Sequence, residues 1–90
     1  MTVDVKEIQI PVIIKRDNKS CDVYIPDLDM TIHGDDFVSA IANASMKASA
    51  VYFYNYERNI KLPFKATYAE VDAMSRKHKN WFTTYIALTS

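Results

Sequence analysis

Ninety residues, 49% of them hydrophobic and 24% charged, describe one ordinary globular domain with a modest core. No apolar run reaches the length of a membrane span, and the charged start with Asp4, Lys6 and Glu7 does not read as a signal peptide, so a cytoplasmic protein is expected. Eleven acids balance eleven bases, which withholds the basic footprint of a nucleic-acid binder, and the single cysteine excludes an internal disulfide.

The first predicted element is a strand, Ile8 to Lys15. Ile8, Ile10, Val12 and Ile14 alternate with Gln9, Pro11, Ile13 and Lys15, the period of a half-buried strand. Pro11 has no N–H, so a bulge or a locally unpaired edge is expected there. Arg16 to Ser20 is a polar hairpin loop. A second strand, Cys21 to Ile25, puts Cys21, Val23 and Ile25 on one face and Asp22 and Tyr24 on the other, and Pro26 ends it. A short third strand covers Met30 to His33. These three read as an antiparallel meander.

A long helix is predicted from Phe37 to Arg58, with Asp36 as N-cap. Phe37, Ala40, Ile41, Ala44, Ala48, Val51 and Asn55 form its core stripe. Val38, Ala42, Met46, Ala50 and Phe53 form a second stripe well round the helix, which predicts cover on more than one side and a homo-oligomer. Val51 to Tyr56 is β-branched and aromatic, and periodicity alone would also allow a strand. Asn59 is expected as a left-handed C-terminal cap. Thr67-Tyr68-Ala69-Glu70 is a capping box, giving a second helix from Tyr68 to Lys77. The last strand, Trp81 to Leu88, places Phe82, Ile86 and Leu88 on one face and Trp81, Tyr85 and Ala87 on the other. The whole is a single α+β domain, residues 1–90.

Val23-Tyr24-Ile25-Pro26-Asp27-Leu28, then Ile32-His33-Gly34-Asp35-Asp36, then a helix with Ala40, Asn43 and Ala44 about two turns in, form an ordered set. That set resembles the small antitoxins of the HicB family. Their line runs from a strand ending Phe-Pro-Asp-Leu through a turn and a short strand to Gly-Asp and an Ala- and Asn-bearing helix. Such domains similarly close with a short helix and a strand opening in Trp, so the resemblance spans Ile8 to Leu88. It implies a reduced ribonuclease-H-like fold with no catalysis and no cofactor. It also implies a small basic ribonuclease toxin as partner. The acidic loops and the poorly paired backbone beside them place Tyr24, Pro26, Asp27, Leu28, Asp29, His33 and Asp35 against such a partner. The acidic stretch up to Asp36, with eight acids against four bases, suits such a partner. Asp27 and Asp29 are both expected to be exposed there, beside the edge of the Tyr24 strand.

Two departures stand out. The turn after Leu28 reads Asp29-Met30 where the family has Pro-Gly, and the first helical turn reads Val38-Ser39 where it is Glu-rich. Many relatives also carry a helix-turn-helix or ribbon-helix-helix module after the last strand. With none before Ser90, specific operator binding is not expected of these residues.

Asp27, Asp29, Asp35 and Asp36 form the one acid cluster. Metal binding competes there with the roles of turn and helix cap, and the latter reading is preferred. A working ribonuclease-H-like enzyme needs carboxylates on its first strand, and Ile8 to Lys15 has none, so no nuclease activity is expected. His33, His78 and Cys21 lie in no metal-ligand spacing. Cys21 is expected to be buried and inert, and His33 to face solvent. Tyr52, Phe53, Tyr54 and Tyr56, with Lys47, Arg58 and Lys61, would be a stacking surface under a nucleic-acid-binding reading, which the balanced charge disfavours. On the sheet face away from the long helix, Ile13, Tyr24, Trp81 and Tyr85 are either interface anchors or residues covered by the second helix. Outside the antitoxin reading, a toxin-independent dimeric interaction module remains open.

Overall fold

The computed structural model describes residues 7–58 and 66–89. Strand β1 is Glu7–Arg16, β2 is Cys21–Ile25 and β3 is Met30–Gly34. Helix α1 is Phe37–Glu57, α2 is Tyr68–Ser75 and β4 is Trp81–Thr89. The four strands form one antiparallel sheet in the order β3-β2-β1-β4. The meander and the returning last strand are therefore as predicted, and so is the α+β class. Val51 to Glu57 is helical. The expected cap at Asn59 lies outside the described residues.

α1 lies across one face of the sheet. The apolar rows of three strands point at it: Ile10, Val12 and Ile14 from β1, Cys21, Val23 and Ile25 from β2, and Ile86 and Leu88 from β4. Ile32 of β3 completes the layer. The helix answers with Ala40, Ala44 and Ala48, all fully buried. Three alanines at i, i+4 spacing leave a smooth ridge that lets the helix axis come close to the sheet. The approach is closest at Gly34. A Cβ built there would stand 2.4 Å from the Ala40 backbone nitrogen. The chain's one glycine is thus required by contact with the helix backbone. Phe37, expected in the core, sits at its rim instead, 40% exposed and stacked on Phe82.

Asp36 caps α1 as predicted: its Oδ1 accepts the Ser39 N–H at 2.7 Å. That bond holds the Asp36 carboxyl below the usual carboxylate range. The capping box of α2 is complete, with Thr67 and Glu70 bonded reciprocally. α2 packs on the opposite sheet face, against β1 and β4. It buries Val71 and Ser75 there, over Ile13.

Pro11 makes no bulge. The β1–β4 ladder runs unbroken from Glu7↔Thr89 to Lys15↔Trp81 and passes through Pro11↔Tyr85. On its other side β1 pairs with β2 only from Ile13 to Arg16. The unpaired edge expected at Pro11 is therefore real, and it faces β2's side of the sheet.

Candidate partner-binding surface

The corner between β2 and β3 is a 3-10 turn, Pro26–Leu28. Pro26 starts it because its fixed φ suits the first helical position. Asp29 closes it in the left-handed conformation, φ 49° and ψ 49°, with its N–H bonded to the Pro26 carbonyl. Asp tolerates that conformation better than most side chains. The Asp29 Oδ1 accepts the Tyr24 hydroxyl at 3.1 Å. Burial, followed by this bond to a carboxylate, pushes the Tyr24 phenol up.

Two residues expected to meet a partner do not reach the surface. Pro26 is fully buried, and Asp27 is only 4% exposed. The Asp27 Oδ1 accepts the Ala66 N–H at 2.6 Å, one residue before the cap of α2. A buried carboxylate must be bonded, and this one ties the β2–β3 corner to the start of α2. The Pro-Asp-Leu segment is an anchor in this fold, with Leu28 half-buried against the core. The expected exposure of Asp27 is thus overturned. β2 is also an interior strand, so the edge beside the acidic loops is β3.

The acids that do reach solvent lie at the two ends of β3: Asp29 at one, and Asp35 and Asp36 at the other, where Arg16 and Lys19 line the same hollow. Asp29, Asp35 and Asp36 are exposed, as are Thr31 and His33 of β3. Asp22 and His33 are cross-strand partners, and their side chains meet at 2.7 Å. Both are open to water, so the pair adds little to stability. Asp22 and Thr31 were not singled out from sequence. The signal for Asp22 was its alternation onto the Tyr24 face.

Proline fixes which backbone groups of β3 are free. In an antiparallel ladder a residue either exchanges both hydrogen bonds with its partner or points both groups away. Pro11 cannot exchange, so its C=O, and the N–H and C=O of Ile13 and Lys15, point toward β2. Ile13↔Tyr24 and Lys15↔Asp22 are then bonded pairs. Cys21, Val23 and Ile25 consequently bond Gly34, Ile32 and Met30. Thr31 and His33 are left with both backbone groups pointing out of the sheet. Among the described residues nothing bonds them.

The opposite edge follows the same alternation but is partly capped. On β4 the Ala87 C=O accepts the Ser45 hydroxyl and the Thr89 N–H donates to Ser49 Oγ. The Thr83 C=O accepts the Tyr68 hydroxyl. Ser45 and Ser49 were missed from sequence, where they are only small polar residues beside Ala44 and Ala48.

The sheet face away from α1 is partly covered. Ile13 is buried under α2, so the covering helix is the correct alternative at that point. His78 stacks on Trp81 with centroids 3.6 Å apart, and the Lys15 ammonium lies 4.4 Å from the Trp81 ring and 5.0 Å from Tyr24. Tyr85 remains half exposed, stacked on Tyr68. On α1 the second stripe faces outward: Val38 is 74% and Met46 65% exposed, and Phe53 is half-buried. Ala42, Met46, Ala50, Phe53 and Tyr54 line an open groove of about 730 Å³ beside the end of β4. The aromatic run of α1 does not form one stacking surface. Tyr52 and Phe53 pack on the core, while Tyr54 is exposed under Arg58. Lys61 and the Tyr56 side chain fall outside the described residues.

Among the described residues no three His, Cys, Asp or Glu side chains come together as a metal site. The Cys21 thiol is buried, and that burial pushes its pKa up. No described helix is long and apolar enough to cross a membrane. Comparison with family models, with curated proteins and with solved structures finds no match for the chain.

Proposed function

We propose that this chain is a HicB-like binding module that neutralises a small basic ribonuclease toxin by covering it, without chemistry of its own. One observation carries the reading. Asp29, Asp35 and Asp36 flank, and Asp22 lies beside, a sheet edge whose outward backbone groups have no partner among the described residues. Such a surface steers a basic partner and then offers it hydrogen bonds. Between Ile8 and Lys15 the first strand has no carboxylate that could hold a catalytic metal, which supports binding over nuclease activity.

The test is co-expression with the product of a neighbouring gene for a basic protein of roughly 60–80 residues, the range in which small domains fold alone. Growth arrest by that protein should be relieved by this chain. Arrest that persists while this chain is folded and abundant would sink the proposal, as would metal-dependent RNA cleavage by the purified chain.

A second observation favours self-association through α1. The exposed stripe of Val38, Ala42, Met46 and Ala50 contains no charge, whereas a solvated helix face is normally polar. Sedimentation should show a species larger than the 10.3 kDa protomer at micromolar concentration. A pure monomer there would rule it out.

A further inference from the structure

We propose that the outer edge of β3 takes an extended basic segment of the partner as a fifth strand, paired through the backbone of Thr31 and His33. The proposal rests on the neutralisation reading above and supplies its mode of contact. Four outward groups, two N–H and two C=O, form a complete hydrogen-bonding repeat for one added strand. They are flanked by Asp29 at one end of β3 and Asp35 at the other, with Asp22 on the neighbouring strand.

Charge decides between occupants. A second copy of the chain pairing antiparallel through Thr31 and His33 would set Asp29 against Asp35 of its twin at both ends. Like charges directly opposed across strands are destabilising. A cationic segment meets the same carboxylates favourably. The two faces of β3 refine its composition. Thr31 and His33 lie on the Tyr24 face with the acids, while Met30 and Ile32 lie on the α1 face with the core. Side chains of an added strand alternate in the same way. The fitting segment therefore alternates Lys or Arg with apolar residues.

The probe is a capped heptapeptide of alternating Lys and Val, compared with the same peptide N-methylated at alternate residues. The methylated form keeps the charge and loses the donors. Binding of the unmethylated peptide should slow amide hydrogen exchange at Thr31 and His33 by about tenfold or more. The methylated peptide should bind about tenfold more weakly for each backbone hydrogen bond it forfeits. Thr31→Pro should weaken the unmethylated peptide by a similar factor. Its melting temperature should stay close to that of the parent, because the Thr31 N–H lies outside the β2 ladder. Should that variant misfold, the methylated peptide still decides. Equal binding of the two peptides, protection at other amides, or no peptide binding would each overturn strand addition. Relief of toxin arrest, measured separately, would then still stand or fall by itself.

Discussion

The two edges of this sheet are built on one hydrogen-bond alternation and finished in opposite ways. At β4, hydroxyls from Ser45, Ser49 and Tyr68 take up outward backbone groups. At β3, the outward groups of Thr31 and His33 have no side-chain cap among the described residues, and carboxylates surround them. Edges are aggregation hazards that proteins blunt with cover or with charge. Here side-chain hydroxyls cover part of one edge. Charge guards the other against its own kind while leaving it open to a cation-bearing strand.

The contrast breaks most severely at the corner that carries β3. Asp27→Lys puts an unpaired cation where a bonded carboxylate is buried, and should cost about 4 kcal/mol in a denaturant melt. An exposed Asp27 would predict almost no change, so this variant separates anchor from contact. Gly34→Ala forces a methyl into the Ala40 backbone and should cost about 3 kcal/mol. It should also loosen β3 from α1, visible as faster amide exchange through Met30–Gly34.

Uncapping the β4 edge is milder. Ser45→Ala with Ser49→Ala should cost about 1 kcal/mol per lost bond. It should also make β4 resemble β3 without its carboxylates, so association at high concentration should rise, as read by light scattering. A double variant that stays as well dispersed as the parent would show that the seryl caps protect nothing. Asp29→Lys with Asp35→Lys should cost about 1 kcal/mol, because Lys suits the left-handed conformation of residue 29 less well than Asp and the Tyr24 hydroxyl loses its acceptor. It should flatten the salt dependence of any basic partner's binding. The smallest effect is acidic. Because the Ser39 N–H holds the Asp36 carboxyl low, its cap strengthens the fold above the ordinary carboxylate range. That contribution is lost as pH falls through the lowered folded value. Asp36→Asn keeps an acceptor for the cap and should remove this part of the acid dependence in a pH-resolved melt.

Much of the fold was legible because its signals are local. Alternation marked every strand to within a residue at each end, and Thr67 with Glu70 marked the start of α2. Asp36 announced α1. What was not legible depends on residues far apart. An Asp after a strand-ending Pro has the same sequence signature whether it faces water or a buried N–H. Its partner, Ala66, lies at the start of a distant helix. Ser45 and Ser49 likewise acquire meaning only once β4 lies beside them. The acidic surface was read correctly in composition and wrongly in membership. Asp29 and Asp35 belong to it, Pro26 and Asp27 do not, and Thr31 enters through a hydrogen-bond alternation that the position of Pro11 sets.

The ladder between β1 and β4 also has a consequence in time. It joins the first described strand to the last, so its closure spans nearly the whole described chain. Contacts of such long range form slowly, because the intervening chain must be ordered before they repay the entropy of closing the loop. During synthesis from the N-terminal end, the meander and α1 emerge before β4 does. Until residues 81–89 arrive, β1 is itself an open edge, with Ile10 and Ile14 facing a half-built core. The nascent protein therefore passes through an interval in which its most apolar strand lacks a neighbour on that side.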